Sequence, residues 1–215
     1  MPEHRGKIDT IRLVGGDICL DFVNTANGRR TSDSLGTIEE NLCLPRDVVI
    51  WARRAEMLGS EDEHALHALI EADGHRAAAQ LASLVAFRDR LHGLLKATAD
   101  GQQDPQGIRE LNEMLARTSR HRHLEHSNGQ LRWSWHLNAA TDSFFDPLLG
   151  QVAFAAADLL TCNSLERMRV CSSPDCDWLF LDTSKAGRRR WCQMDVCGNR
   201  AKARRHAGHA GHAEH

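Results

Sequence analysis

Residues 171–200 read CSSPDCDWLFLDTSKAGRRRWCQMDVCGNR and hold four of the chain's seven cysteines, in the order C-x4-C-x15-C-x4-C. Zinc favours four thiolates in a tetrahedron, and two cysteines a few residues apart supply two ligands with little chain entropy to lose. Two such pairs separated by a longer insert match the spacing of four-cysteine zinc modules. The usual pair is C-x2-C, and C-x4-C stays within the range of zinc knuckles. The competing reading is four unconnected structural or redox thiols. An odd cysteine count fits poorly with a disulfide framework, and the opening MPEHRGKIDTIRLVGG lacks the apolar core of a secretory signal. A cytoplasmic location with reduced thiols is therefore expected, and it favours metal over disulfides. Cys171, Cys176, Cys192 and Cys197 are the candidate ligands of one structural zinc. Four thiolates leave no open position for water or substrate, so a catalytic zinc is not expected.

Between the ligand pairs, Trp178–Leu181 reads as a strand, 182–187 as a turn and Arg188–Trp191 as the return strand. The residues after Cys197 are helix formers without proline. Knuckle, hairpin and second knuckle running into a helix is a treble-clef-like order. A module this small cannot hold a core without a staple, which zinc supplies at about 10–16 kcal/mol of apparent free energy. Loss of one ligand is then expected to unfold the module and leave the rest of the chain standing.

The same segment is locally basic. From Lys185 to Arg205 there are eight basic residues against the single acid Asp195, a local +7 in a chain of net charge −2. Lys185, Arg188, Arg189, Arg190, Arg200, Lys202, Arg204 and Arg205 suit phosphate oxygens through charge and bidentate hydrogen bonds. Asn199 and Arg200, just past the last ligand, are placed to reach base edges. The plainer alternative is a solvated basic surface, or one that docks on an acidic partner.

Upstream, 215 residues with 41% apolar and 26% charged content describe one or two soluble globular domains. Thr10–Val14 reads as a short strand and CLDFVNT as a strand or helix start. Pro45 opens a helical pattern with Val48, Trp51 and Ala55 on one face. Ser60 with Glu63 forms a capping box for the next helix. Leucines at three- and four-residue steps predict a long helix from Gly74 to about Asp100. Asp104–Pro105 starts another helix, to about Ser119, and Asp146–Pro147 starts a nearly uncharged core helix, to about Thr161. Asn128–Gly129 predicts a hairpin with Leu131, Trp133 and Trp135 on one face, and Trp133 and Trp135 are read as core packing in preference to stacking platforms.

The fold class is thus α+β: a helix-rich domain over 1–165, a zinc finger over 166–207 and a disordered histidine-containing tail over 208–215. The longest apolar segment, 144–160, is too short and too broken to span a bilayer, so no membrane partner is expected. Asp21, Asn24 and Thr25 within LDFVNT, together with Arg88, are candidates for a small-ligand pocket. For the first three, capping or turn hydrogen bonds are the commoner use, and for Arg88 an ion pair. Cys19, Cys43 and Cys162 have no ligand spacing. No nucleophile motif, P-loop or GxGxxG occurs, so no enzyme is expected.

The finger region, RVCSSPDCDWLFLDTSKAGRRRWCQMDVCGNRAKARRH, resembles the CGNR zinc-finger family throughout, with the name-giving motif at Cys197-Gly198-Asn199-Arg200. GGDICLDFVNT, residues 15–25, is similar to the opening of the ABATE domain that commonly precedes this finger. The resemblance implies a bacterial, stress-related transcription regulator with zinc on Cys171, Cys176, Cys192 and Cys197. It implies double-stranded DNA as partner and an N-terminal domain suggested to sense a small-molecule effector. Regulators of this kind often act as homodimers. The function from another class is a zinc-stabilised protein-interaction or RNA-binding adaptor.

Overall fold

The computed structural model describes residues 7–28, 38–127, 129–136 and 143–210, with side chains as far as Arg205. Helices dominate, and their limits follow local chemistry. Helix α1 (Ile18–Val23) starts at Asp17, whose carboxylate accepts from the Cys19 N–H at 3.0 Å. The Gly15–Gly16 pair before it is dictated by space and backbone angle. A Cβ on Gly15 would stand 2.7 Å from Leu20 Cβ, and Gly16 adopts φ +81°. CLDFVNT is therefore helix, not strand.

The expected strand at Thr10–Val14 does not form. A 3-10 turn over Lys7–Asp9 leads into irregular chain, and Arg54 takes the Ile8 and Ile11 carbonyls at 2.5 and 2.6 Å. A guanidinium thus satisfies backbone groups that a neighbouring strand would otherwise have to meet.

Helix α2 (Pro45–Arg54) buries Val48, Val49, Trp51 and Ala52. Helix α3 (Ser60–Ala72) has Gly59, not Ser60, at its N-cap, because Glu63 N–H already closes the first turn on the Gly59 carbonyl. Helix α4 (Gly74–Ala99) buries Leu81, Leu84, Leu91, Leu94 and Leu95, as the leucine spacing predicts. Helix α5 (Pro105–Thr118) is capped by Asp104, which accepts from Gly107 N–H at 2.9 Å. Helix α6 (Asp146–Thr161) is the core helix, packed against α1 and α5. Asp146 is its first residue, with Phe145 in the cap position, and its carboxylate turns to Arg117, 3.1 Å away.

Strands are short. β1 (Ala26–Asn27) pairs with β2 (Glu39–Glu40). β3 (Arg122–Ser127) and β4 (Gln130–Trp135) form the expected hairpin, with Ser127 opposite Gln130 and Gly129 at φ +76°. The reading of its apolar face is corrected. Trp135 is half-buried against Phe154, with ring centroids 5.6 Å apart, but Leu131 and Trp133 are 60% and 54% exposed. Trp133 instead covers Arg122, whose guanidinium carbon lies 4.0 Å from its ring centre.

Gly150 of α6 lies under the Trp135 ring, and a Cβ there would collide with it. Gly150→Ala should therefore destabilise by about 1–3 kcal/mol through overpacking. Denaturant unfolding checks this, and an unchanged midpoint would remove the seat assigned to Trp135.

The hairpin of the cysteine region differs from the expected one. β6 (Leu179–Leu181) pairs with β5 (Met168–Val170), with Val170 opposite Leu179, and Arg188–Trp191 is not a strand. The first cysteine pair sits in the loop of this hairpin, which Cys171 N–H closes on the Trp178 carbonyl at 2.9 Å. A wide turn over Met194–Gly198 then feeds α7 (Asn199–Ala210). The helix enters the stretch expected as a disordered tail, and 211–215 lie outside the described residues. No helix among the described residues is long and apolar enough to cross a membrane.

Candidate metal centre

The Sγ atoms of Cys171, Cys176, Cys192 and Cys197 all lie within 4.8 Å of one another, and all four residues are buried. Cys176 and Cys192 sulfurs are 3.7 Å apart, and Cys192 and Cys197 sulfurs 3.6 Å. A zinc–sulfur bond of about 2.3 Å in a tetrahedron requires sulfur separations of about 3.8 Å. A disulfide would bring two sulfurs to about 2.05 Å. The cage therefore has the dimensions of a four-thiolate zinc site.

Its electrostatics ask for a cation. Hydrogen bonds from Cys176 and Cys192 pull the Cys171 thiol well below its ordinary value, while their contacts with Cys171 push Cys176 and Cys192 well above it. Burial pushes Cys197 up as well. Neighbouring S–H groups can support one thiolate, but four buried thiolates need a metal charge at their centre.

Two elements hold the second pair in place. Gly198 leaves room for Met194, whose sulfur would stand 2.5 Å from a Cβ at that position. Arg189 is drawn inward: its guanidinium donates to the carbonyls of Trp191, Leu181, Val14 and Cys192, at 3.1, 3.3, 3.4 and 2.5 Å, and stacks over Phe180 at 4.3 Å. Nothing distinguishes it in sequence from Arg188 and Arg190, which are exposed.

The finger is built onto the helical domain. Asn24 meets Leu179 like a neighbouring strand: its Nδ2 donates to the Leu179 carbonyl at 2.8 Å and its Oδ1 accepts from Leu179 N–H at 2.9 Å. Leu181 N–H donates to the Gly15 carbonyl at 2.8 Å, and Trp178 Nε1 to the Ala26 carbonyl at 3.2 Å. His92 Nε2 lies 2.9 Å from the Asp177 carbonyl, and Met168 and Leu179 share the main core with the helices.

The candidate pocket residues are engaged in the same way. Asp21 accepts from Gly15 N–H at 2.8 Å, and burial raises its carboxyl to about 6. Thr25 Oγ1 donates to the Phe22 carbonyl at 2.7 Å. Arg88, only 1% exposed, binds both oxygens of Glu40 at 2.6 and 2.7 Å and also Asp89 at 3.0 Å. The carboxylates of Glu40 and Asp89 occupy the positions an anionic ligand of Arg88 would need. Cys19 is buried, Cys43 and Cys162 are exposed, and none of the three belongs to the four-cysteine cluster.

Of the other basic residues, Arg204 is latched to Asp175 at 2.6 Å and Ser173 at 3.0 Å. Asn199 donates from Nδ2 to the Asp195 carbonyl at 2.9 Å, and Asp195 is paired with Arg12 at 2.5 Å. Among the described residues, Lys185, Arg188, Arg190, Arg200 and Lys202 are exposed and have no carboxylate partner.

The family profile for ABATE, described as "Putative stress-induced transcription regulator", matches residues 16–163, well over half of the chain. The chain belongs to the ABATE family. The CGNR zinc-finger profile matches residues 167–209, so the cage falls wholly within that finger. ABATE and CGNR thus follow one another along the chain, and the four cysteines form the site of one structural zinc. No curated protein matches the chain. Both ABATE and CGNR are regulator or zinc-finger families, not enzyme families.

Proposed function

We propose that this ABATE–CGNR protein is a transcription regulator whose treble-clef-like finger binds double-stranded DNA and whose helical domain responds to a small effector. The observation that carries the reading is the set of basic side chains around the last zinc ligand that the fold leaves unneutralised. Lys185, Arg188 and Arg190 stand on the loop between the ligand pairs, and Arg200 and Lys202 on the first turns of α7. Arg205 lies on the same helix but has a partner of its own, so it is not counted in this set. Arg189 and Arg204 are excluded from the phosphate contacts because the finger uses them internally. Asn199 is partly engaged by its own turn, which leaves Arg200 as the better candidate for an approach to a base edge.

Counterion release gives the test. Five phosphate contacts predict a slope of log K against log salt of roughly −4.5, at about 0.9 per contact. The double variant Arg188→Gln, Arg190→Gln should reduce that slope by about 2, measured by fluorescence anisotropy on duplex DNA with the zinc-loaded chain. Absence of duplex binding at low salt would remove the reading. Tighter binding to single-stranded or hairpin RNA than to duplex DNA would turn it into an RNA-binding one.

A further inference from the structure

A cleft of about 250 Å³ opens where the helical domain meets the finger. Its lining comes from both sides: Lys7, Arg12, Asn27 and Glu39 from the domain, Trp178 and Arg200 from the finger. Three cations face it. Lys7 is paired with Glu39 at 3.0 Å and Arg12 with Asp195 at 2.5 Å, while Arg200 has no carboxylate partner among the described residues.

Asn27 provides the second, independent mark. Its Oδ1 is buried and accepts no hydrogen bond, and its Nδ2 reaches only the Asp175 carbonyl at 3.5 Å. A buried carbonyl oxygen without a donor is unfavourable, and a ligand N–H or O–H would relieve it. Trp178 Nε1 is already used by the Ala26 carbonyl, so the indole offers the cleft an apolar surface. Three of the cysteines border the same space, but a four-thiolate metal has no open position, so a ligand there would not be metal-bound. The volume falls below the usual range for drug-sized ligands of about 300–1,000 Å³, which points to a molecule of about amino-acid size.

We infer that this cleft is the effector site, and that it takes a small organic acid bearing a hydroxyl or amino group next to its carboxylate. The carboxylate pairs with Arg200, and the neighbouring O–H or N–H donates to Asn27 Oδ1 once the side-chain amide turns into the cleft. The regulatory consequence rests on the DNA-binding reading above. Arg200 stands at the boundary between the cleft and the basic face, so an occupied cleft withdraws one phosphate contact from the DNA surface.

The test is an NMR titration of the zinc-loaded full chain, in the absence of DNA. The probes are 2-hydroxy and 2-amino carboxylates of increasing side-chain size, their 2-deoxy counterparts and their methyl esters, which lack the carboxylate. The acids should move the amide signals of Gln193 and Val196 and the side-chain amide of Asn27, and the esters should not. Arg200→Gln should weaken binding about 10- to 100-fold, as expected for loss of a charged hydrogen-bond partner. Asn27→Leu should weaken the hydroxy acids several-fold and spare their 2-deoxy counterparts. Acids that leave the cleft signals unmoved, or that bind Arg200→Gln as well as the natural chain, overturn the assignment. Because no DNA is present, that failure leaves the DNA reading intact. In a separate measurement with duplex DNA, a saturating acid should reduce the salt slope by about 0.9. An unchanged slope would overturn the coupling.

Discussion

Removing the zinc, by chelation or by Cys176→Ser, should lower the stability of the whole chain and not of the finger alone. Zinc in small modules supplies about 10–16 kcal/mol of apparent free energy, as much as the net stability of an entire domain at about 5–15 kcal/mol. Without it the β5–β6 hairpin loses the closure of its loop, and Met168 and Leu179 are withdrawn from the core they share with the helices. This revises the expectation from spacing alone, in which the helical part survives intact. Native mass spectrometry should find one zinc per chain. Thermal melting followed by the helical signal should show a midpoint lowered by more than about 10 °C after chelation, given about 2–4 °C per kcal/mol for a chain of this size. A helical domain that melts at the same temperature with and without metal would sink the claim of a shared core.

Asn24→Leu carries the second large effect. The substitution keeps the side-chain volume roughly constant but leaves the Leu179 N–H and carbonyl buried without partners. Each unsatisfied group costs about 1–3 kcal/mol, which corresponds to a lowered melting midpoint on the order of 10 °C. Asn24→Asp is the informative companion. Its carboxylate can still accept from the Leu179 N–H but sets a second acceptor against the Leu179 carbonyl, so it too should destabilise. Zinc content should stay at one per chain in both variants, because neither touches the cage. A normal midpoint in Asn24→Leu would mean that the finger is held by other contacts.

The two halves of the site differ in how far the sequence discloses them. Cysteine spacing identifies the cage because four thiols at those intervals have few other uses, and the cage indeed closes to tetrahedral dimensions. Helix limits are legible at Asp104–Pro105 and along α4, where capping and leucine spacing agree with the buried face. The strand pairing is not. Gly187 and the residues around it look like a hairpin turn, yet Leu179–Leu181 finds its partner across the metal-closed loop, at Met168–Val170.

Burial is the other gap. Alternation places Leu131 and Trp133 on one face of the hairpin but does not say whether anything covers that face. In the same way, three adjacent arginines look equivalent until one of them, Arg189, is seen collecting four carbonyls. Asn24 and Thr25 were legible as unusual polar groups in an apolar frame. Thr25 is used for a local hydrogen bond, whereas Asn24 proves to be the pin between the two family segments.

The inward Arg189 has a practical consequence for anyone treating the finger as a portable part. Its guanidinium reaches the Val14 carbonyl, and the strand beside it leans on Gly15 and Asn24. A chimera that transplants residues 167–209 onto a foreign regulator would carry the metal but leave its cradle behind. Exchange between relatives should succeed only when the stretch from Val14 to Thr25 travels with the finger, so the two would be inherited as one unit despite the long run of chain between them.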